Sequence, residues 1–370
     1  MIHTVPFFSL SHMHDELHAD LLDAFQRVYQ ANHFVLGKEV EAFEKDFAAF
    51  CGSRYAIGVA NGLDALHVSL KTLGVGQGDE VIVPSNTFIA TVLAVSQAGA
   101  IPVFAEPDPQ TYNLTTDGID RVKSSRTKAV IPVHLYGQSC VMKPMMTWAN
   151  DHDVFVIEDN AQAQGATSNG GSTGSFGHMN ATSFYPAKNI GALGDGGAIV
   201  CNDEELYTRG SVLRNYGSPE KYVHDVQGMN SRLDELQAAF LRVKLRKLPE
   251  WNEERQRIAG IYREGLSDLP DVVLPHVNPQ VTHVYHCFVI QVPDRDRLRK
   301  YLQERGIGTL IHYPIPPHLQ KAYAGLGWKK GDFPIAESLS EHLMSLPVYP
   351  GMTDRDISYV VENISDFFRS

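Results

Sequence analysis

The chain of 370 residues is poor in cysteine, in positive charge and in long apolar runs. Its four cysteines, Cys51, Cys140, Cys201 and Cys287, stand far apart with no CxxC spacing. That density argues against a disulfide framework, and a zinc site needs closer ligands, so no metal centre is expected. The net charge is −11. Nucleic-acid binding usually needs a basic face, so no nucleic-acid partner is expected. A small phosphorylated ligand needs only a local pocket of amides and cations, and stays open. No apolar run reaches the length of a membrane span, and no membrane partner is expected. The opening MIHTVPFFSL lacks a basic stretch followed by a long apolar core. It is not read as a secretory signal, and the cytoplasm is the expected compartment. Repeats at solenoid periods and low-complexity tracts are absent too.

What is present is an ordinary globular composition, 43% hydrophobic and 20% charged, in a chain too long for one small core. Short β-rich runs fall at 56–60, 80–84, 101–105, 129–134, 154–158, 181–184 and 197–201. Several are continuously apolar, as buried parallel strands are. Helical patterns at 62–73, 87–98, 141–151 and 203–216 fit between them, after helices over 13–32 and 38–50. The pattern predicts an α/β fold, an αβα sandwich around a mostly parallel sheet. Residues 231–268 read as helical. A strand over 284–292, a helix over 295–305 and a short strand over 309–312 then predict a smaller α+β unit. The expected division is a large domain of residues 1–250 and a small one of 251–370.

The chemistry gathers at the ends of the predicted strands. In Ser183-Phe184-Tyr185-Pro186-Ala187-Lys188-Asn189 a strand ends, Pro186 stops the ladder, and Lys188 sits on a turn before a glycine-rich stretch. A lysine on a rigid, partly desolvated loop is what a Schiff-base nucleophile requires; a surface lysine on a polar turn is the alternative. The apolar run 154–158 ends in Glu158-Asp159. Ligands in such sheets sit at the C-terminal strand ends, where Asp159 can pair with a pyridine nitrogen or simply cap a turn. Gln162 follows three residues later. At Asn61-Gly62-Leu63-Asp64 a strand runs through a glycine turn into a helix. The free amides of that helix start suit a phosphate, or the segment is an ordinary strand–helix turn. By contrast Gly74-Val75-Gly76-Gln77-Gly78 precedes a strand, so it is a turn and not a dinucleotide fingerprint.

Three further segments carry two readings each. Phe88, just past the strand ending at Pro84, either stacks on a flat ring or belongs to the core. Ser231 with Asp234 resembles a capping box, while Asn230 and Arg232 beside it can reach an anion. His312-Tyr313 at a strand end either orients a polyhydroxyl substrate or is structural.

Together these segments resemble the DegT/DnrJ/EryC/StrS family of sugar-nucleotide aminotransferases, within the aspartate-aminotransferase-like (fold type I) enzymes that use pyridoxal 5′-phosphate (PLP). The resemblance runs from Phe34-Val35-Leu36-Gly37-Lys38 past Ile311-His312-Tyr313-Pro314 and is most specific between Ser183 and Gly197. It implies that Lys188 holds PLP covalently and shuttles protons, that Asp159 pairs with the ring nitrogen, and that Gln162 approaches the 3′-oxygen. It implies Gly62, Leu63 and Ser183 at the phosphate, Phe88 stacked on the ring, and Asn230 completing the phosphate site from a neighbouring copy, in a homodimer with shared sites. Tyr185, His312 and Tyr313 fall where such enzymes meet the sugar. Two stretches, 61–66 and Val133-His134-Leu135-Tyr136-Gly137-Gln138, look like the 3-aminotransferase branch. That branch moves the amino group of L-glutamate to C3 of a dTDP-linked 3-oxo-6-deoxyhexose. Asn160 and Gln164 stand where many members carry Ala and His, and Ala187 replaces a frequent Gly or Thr. The rival activities are 4-amination of a 4-keto nucleotide sugar, sugar dehydration, which a lysine at 188 opposes, and a non-catalytic PLP-binding regulator.

Overall fold

The seven β-rich runs become one sheet in the computed structural model, which describes residues 3–369. In chain order the strands are β1 (Tyr55–Val59), β2 (Glu80–Pro84), β3 (Ile101–Ala105), β4 (Thr127–Val130), β5 (Phe155–Asp159), β6 (Met179–Ser183) and β7 (Gly197–Cys201). They lie side by side as β1-β7-β6-β5-β4-β2-β3. β7 alone runs antiparallel to its neighbours β1 and β6, and the pairs from β6 to β3 are parallel. Parallel strands need crossovers, which the intervening helices supply, and those helices bury both faces. The alternation is visible in β2: Val81 and Val83 belong to one core and Ile82 to the core on the opposite face.

Pro132 marks where the predicted strand over 129–134 departs from the observed one. β4 closes at Val130, and Ile131 adds one more ladder bond, its amide to the Ile82 carbonyl at 2.8 Å. Pro132 then has no amide to continue. The helix over 13–32 is two helices, Ser11–Glu16 and His18–Ala31, broken at Leu17. The helix over 231–268 is also two, Glu235–Leu245 and Leu248–Leu266. Pro249 occupies the first turn of the second, where a missing amide costs nothing. The expected capping box does not form: Asp234 precedes the helix without a side-chain cap. Ser231 instead accepts from the Ala60 amide at 3.1 Å and donates to Asp64 at 2.6 Å. A tertiary partner has taken the hydroxyl that the local pattern assigned to the helix.

A second core gathers Val5, the helix Leu248–Leu266, the antiparallel pair Phe288–Gln291 and Leu343–Leu346, and the helices Arg295–Glu304 and Asp354–Arg369. The strand predicted over 284–292 is therefore shorter, and that over 309–312 reduces to one bridge, Leu310 to Ser345. Val5 is pinned on this core by its amide to Gly306 at 2.9 Å and by the Gly308 amide to its carbonyl at 2.8 Å. Gly308 is required there, because a Cβ would meet the Phe7 nitrogen at 2.5 Å. All four cysteines are buried and free. Among the described residues no helix is long and apolar enough to cross a membrane.

Candidate active site

β5 and β6 run parallel and end at Asp159 and Ser183. A cavity of ≈610 Å³ opens there, between the sheet and the second core, and Lys188 lines it. The Lys188 side chain is half-buried and has no hydrogen-bond or ion-pair partner among the described residues. Its amide is held to the Tyr185 carbonyl at 2.8 Å, which fixes the turn. Burial lowers its pKa from the ordinary lysine value, and the nearby Asp159 partly restores it. The result is an amine that sheds its proton more easily than a surface lysine does.

Asp159 is almost fully buried. One carboxylate oxygen accepts from the Thr91 hydroxyl at 2.8 Å and the other from the Ala161 amide at 3.2 Å. Thr91 is itself 3.0 Å from the hydroxyl of Thr87, which lies just before the helix Ile89–Gln97. Burial raises the Asp159 pKa; Thr91, Ala161 and Lys188 oppose that rise. Such a carboxylate lacks a cationic hydrogen-bond partner and gains from a protonated nitrogen placed against it.

Gln162 closes another side. Its Oε1 accepts from the Tyr136 amide at 2.6 Å, and its Nε2 donates to the Tyr313 hydroxyl at 3.0 Å. The second N–H of that amide has no acceptor among the described residues. Phe88 packs at 5.1 Å and 37° on Tyr313 and is half exposed toward the cavity. The Tyr136 hydroxyl donates to the His312 carbonyl, and His312 Nδ1 lies 2.8 Å from the Ser345 hydroxyl. Burial and then Lys188 push the His312 pKa down to about 4, so the ring is neutral near pH 7.

The helix Gly62–Thr72 points its N-terminus into the cavity. Asn61 caps it, accepting from the Asp64 amide at 2.8 Å. The amides of Gly62 and Leu63 have no acceptor within the helix. A Cβ on residue 62 would meet Ser183 Cβ at 2.6 Å, so glycine alone lets this turn lie against β6.

Every residue expected at the site lines the cavity except Asn230. Asn230 is exposed and donates to the Tyr216 hydroxyl at 2.7 Å. Three contributors went unread in the sequence: Thr91, His286 and the Phe7-Phe8 pair. Thr87 and Thr91 stand four residues apart within the helix predicted over 87–98, which was a legible signal. The others carry none, since they reach the cavity through tertiary pairing.

A family model described as the DegT/DnrJ/EryC1/StrS aminotransferase family matches residues 15–365. The chain is 48% identical over 363 residues to a dTDP-3-amino-3,6-dideoxy-α-D-galactopyranose transaminase of Aneurinibacillus thermoaerophilus, covering 98% of this chain and 99% of that protein. It is 47% identical over 360 residues to the erythromycin biosynthesis sensory transduction protein EryC1 of Saccharopolyspora erythraea, covering 97% and 98%. The fold superposes on the crystal structure of DesV from S. venezuelae, solved with a ketimine intermediate. The TM-score is 0.97 at 44% identity, and 99% of each chain is covered.

Proposed function

The chain belongs to the DegT/DnrJ/EryC1/StrS aminotransferase family, and from that premise we propose that it moves the amino group of L-glutamate to C3 of a dTDP-3-oxo-6-deoxyhexose. The product is a dTDP-3-amino-3,6-dideoxyhexose and the co-product 2-oxoglutarate. The family uses PLP and acts on sugar nucleotides. The observation that carries the reading is the unpartnered Lys188 amine facing the same cavity as the buried Asp159 carboxylate.

The residues present fit PLP. The Gly62 turn leaves room against Ser183 that any side chain would fill. With Leu63 and Ser183 it is the natural cradle for the phosphate. Asp159 would receive the ring nitrogen, Phe88 would cover a ring face and Gln162 would offer its free N–H. PLP, once bound, supplies an aldehyde for the lysine and a ring that withdraws electrons from the substrate carbon.

Lys188 Nζ binds the cofactor and then takes and returns the proton at the reacting carbon, a task that suits its depressed basicity. Asp159, held by Thr91 and Ala161, keeps a negative charge where a protonated nitrogen belongs. Gln162 and Tyr313 brace each other, so both keep their orientation when the site fills. Tyr185, His312 and Tyr313 offer hydroxyl and imidazole donors and acceptors suited to the hydroxyls of a sugar. Asn230 would complete the phosphate site from a neighbouring copy, in line with its exposure here. The C3 regiochemistry and the dTDP carrier rest on likeness to the Aneurinibacillus relative.

The test is product identification by NMR. Purified protein with PLP and L-glutamate is given the 3-keto and the 4-keto dTDP-6-deoxyhexose separately. A new C3 amine is the expected result. Amination of the 4-keto sugar alone would overturn the regiochemistry and keep the lysine chemistry. Failure of all amine transfer would favour a regulatory role.

A further inference from the structure

Of the histidines at 283, 286 and 312, His286 and His312 line the cavity, and two of the three are employed by the protein. His283 Nδ1 accepts from the Tyr285 amide at 2.9 Å, and its ring stacks on Tyr285 at 3.9 Å and 7°. His312 is tied to Ser345. The third, His286, lines the cavity, yet neither ring nitrogen has a hydrogen-bond partner among the described residues, and Nδ1 is buried. Nδ1 presents no surface to the cavity, so Nε2, unpaired and not buried, is the nitrogen a ligand there would meet, and an unfilled ring nitrogen on a cavity wall points to a ligand that completes it.

The backbone holds this ring in place. Tyr285, directly before it, is left-handed at φ 45°, a strained conformation for an aromatic residue. Gly137, itself at φ 103°, packs so closely that a Cβ would lie 2.8 Å from the His286 amide nitrogen. A conformation maintained against such crowding is set by the surrounding structure and not by the local sequence.

The ring is also uncharged. Burial, and then Lys188, Arg255, His312 and His283, all work against protonation. A neutral imidazole offers one donor and one acceptor, which match a hydroxyl or a carbonyl oxygen. It gives no charge for a phosphate or for the carboxylates of an amino-acid donor.

We propose that His286 is a substrate-binding residue for the sugar half of the reaction, hydrogen-bonding an uncharged oxygen of the hexose beside the reacting carbon. The assignment rests on the reading of the acceptor as a keto-hexose nucleotide. It separates the two substrates that share the cavity: glutamate meets the lysine without His286, whereas the sugar needs it.

The experiment compares wild-type holoenzyme with His286→Phe and His286→Gln in three readouts. These are PLP retained per chain, 2-oxoglutarate released in a single turnover with L-glutamate, and kcat/KM for the keto sugar. Removing a buried hydrogen bond should lower sugar kcat/KM in His286→Phe by about 10- to 100-fold. The glutamate turnover should stay within about 2-fold, and His286→Gln, which keeps a polar atom near Nε2, should recover part of the loss. Equal loss in both half-reactions, loss of PLP, or no change in sugar kcat/KM would each overturn the assignment. If the wild type releases 2-oxoglutarate but aminates neither keto sugar, the acceptor reading fails and the assignment falls with it. If the wild type aminates and His286→Phe matches it, only the assignment falls.

Discussion

Glu158 and Asp159 are consecutive carboxylates at the end of one strand, and they do opposite work. The pleat sends their side chains to opposite faces. Glu158 is fully buried and its two oxygens accept four hydrogen bonds: from the amides of Phe176 at 2.6 Å, Gly177 at 2.9 Å and Gly174 at 2.8 Å, and from His134 at 2.8 Å. The Cys140 amide donates to His134 Nδ1 at 3.0 Å, which leaves Nε2 as the nitrogen that donates to Glu158. This cluster is closed: it fastens the 174–177 loop and the 134–140 turn behind the sheet. Asp159 accepts only two bonds and faces a cavity. The difference teaches that burial does not mark function here. The mark is unfilled hydrogen-bonding capacity that also faces the cavity, at Asp159, Lys188 and His286; the unpaired atoms of Arg255 and His318 lie outside its lining.

The largest effect belongs to the open side. Lys188→Ala should reduce amine transfer by on the order of 10⁴-fold, because the same atom binds the cofactor and carries the proton. With both proteins stripped of PLP, its unfolding midpoint in denaturant should stay at or above that of wild type, since a partly desolvated amine is removed and no hydrogen bond is broken. Steady-state rates and urea titration check both halves. Retained turnover would end the assignment of Lys188.

The sharpest break of the comparison is to neutralise each carboxylate in turn. Glu158→Gln sets an amide NH₂ among four donors, so it should cost about 3 kcal/mol of stability. Correctly folded molecules should keep much of their turnover. Asp159→Asn should cost only about 1 kcal/mol, through one weakened hydrogen bond. Its turnover should fall by about 10²- to 10³-fold, as when a preorganised electrostatic partner is removed. Unfolding free energies and kcat measured on both variants decide it. A pattern in which Glu158→Gln loses activity at full stability would make Glu158 part of the chemistry.

Much of this arrangement was legible in the sequence, and the limits have physical causes. Strand ends are marked by apolar runs that stop at Asp159, Ser183 and Pro84, so the positions where side chains converge could be read directly. Gly62 and Lys188 each have an ordinary alternative, a strand–helix turn and a surface lysine, and became legible only through the neighbouring motifs read together. The distinct tasks of Glu158 and Asp159 were not, since adjacent acids differ only in which face of the sheet they meet. His286 was hidden inside an apolar run read as a strand over 284–292; the left-handed turn at Tyr285 that breaks the run is imposed by the packing against Gly137. Phe7 and Phe8 reach the cavity through the pairing of Val5 with Gly306 and Gly308, a contact between opposite ends of the chain that no local pattern encodes. Ser231 shows the converse error, a good local pattern overruled by a better distant partner.

The smallest expected effect tests whether the sugar side of the cavity is as free of charge as its contacts imply. His312 has its pKa lowered to about 4 by burial and then by Lys188. The positive form therefore appears only as pH falls through about 4, well below the ordinary histidine range. Between about pH 5.5 and 8 the ring stays neutral and its contribution to sugar binding should be constant. The ratio of sugar KM in His312→Gln to that of wild type should accordingly vary by less than about 2-fold over that range, even where both enzymes share breaks from other groups. A break near pH 6.5 present in the wild type and missing from His312→Gln would mean that His312 gains a proton in the working range. The sugar would then meet a cation beside Lys188, and the contrast between a neutral sugar face and a charged cofactor face would no longer hold.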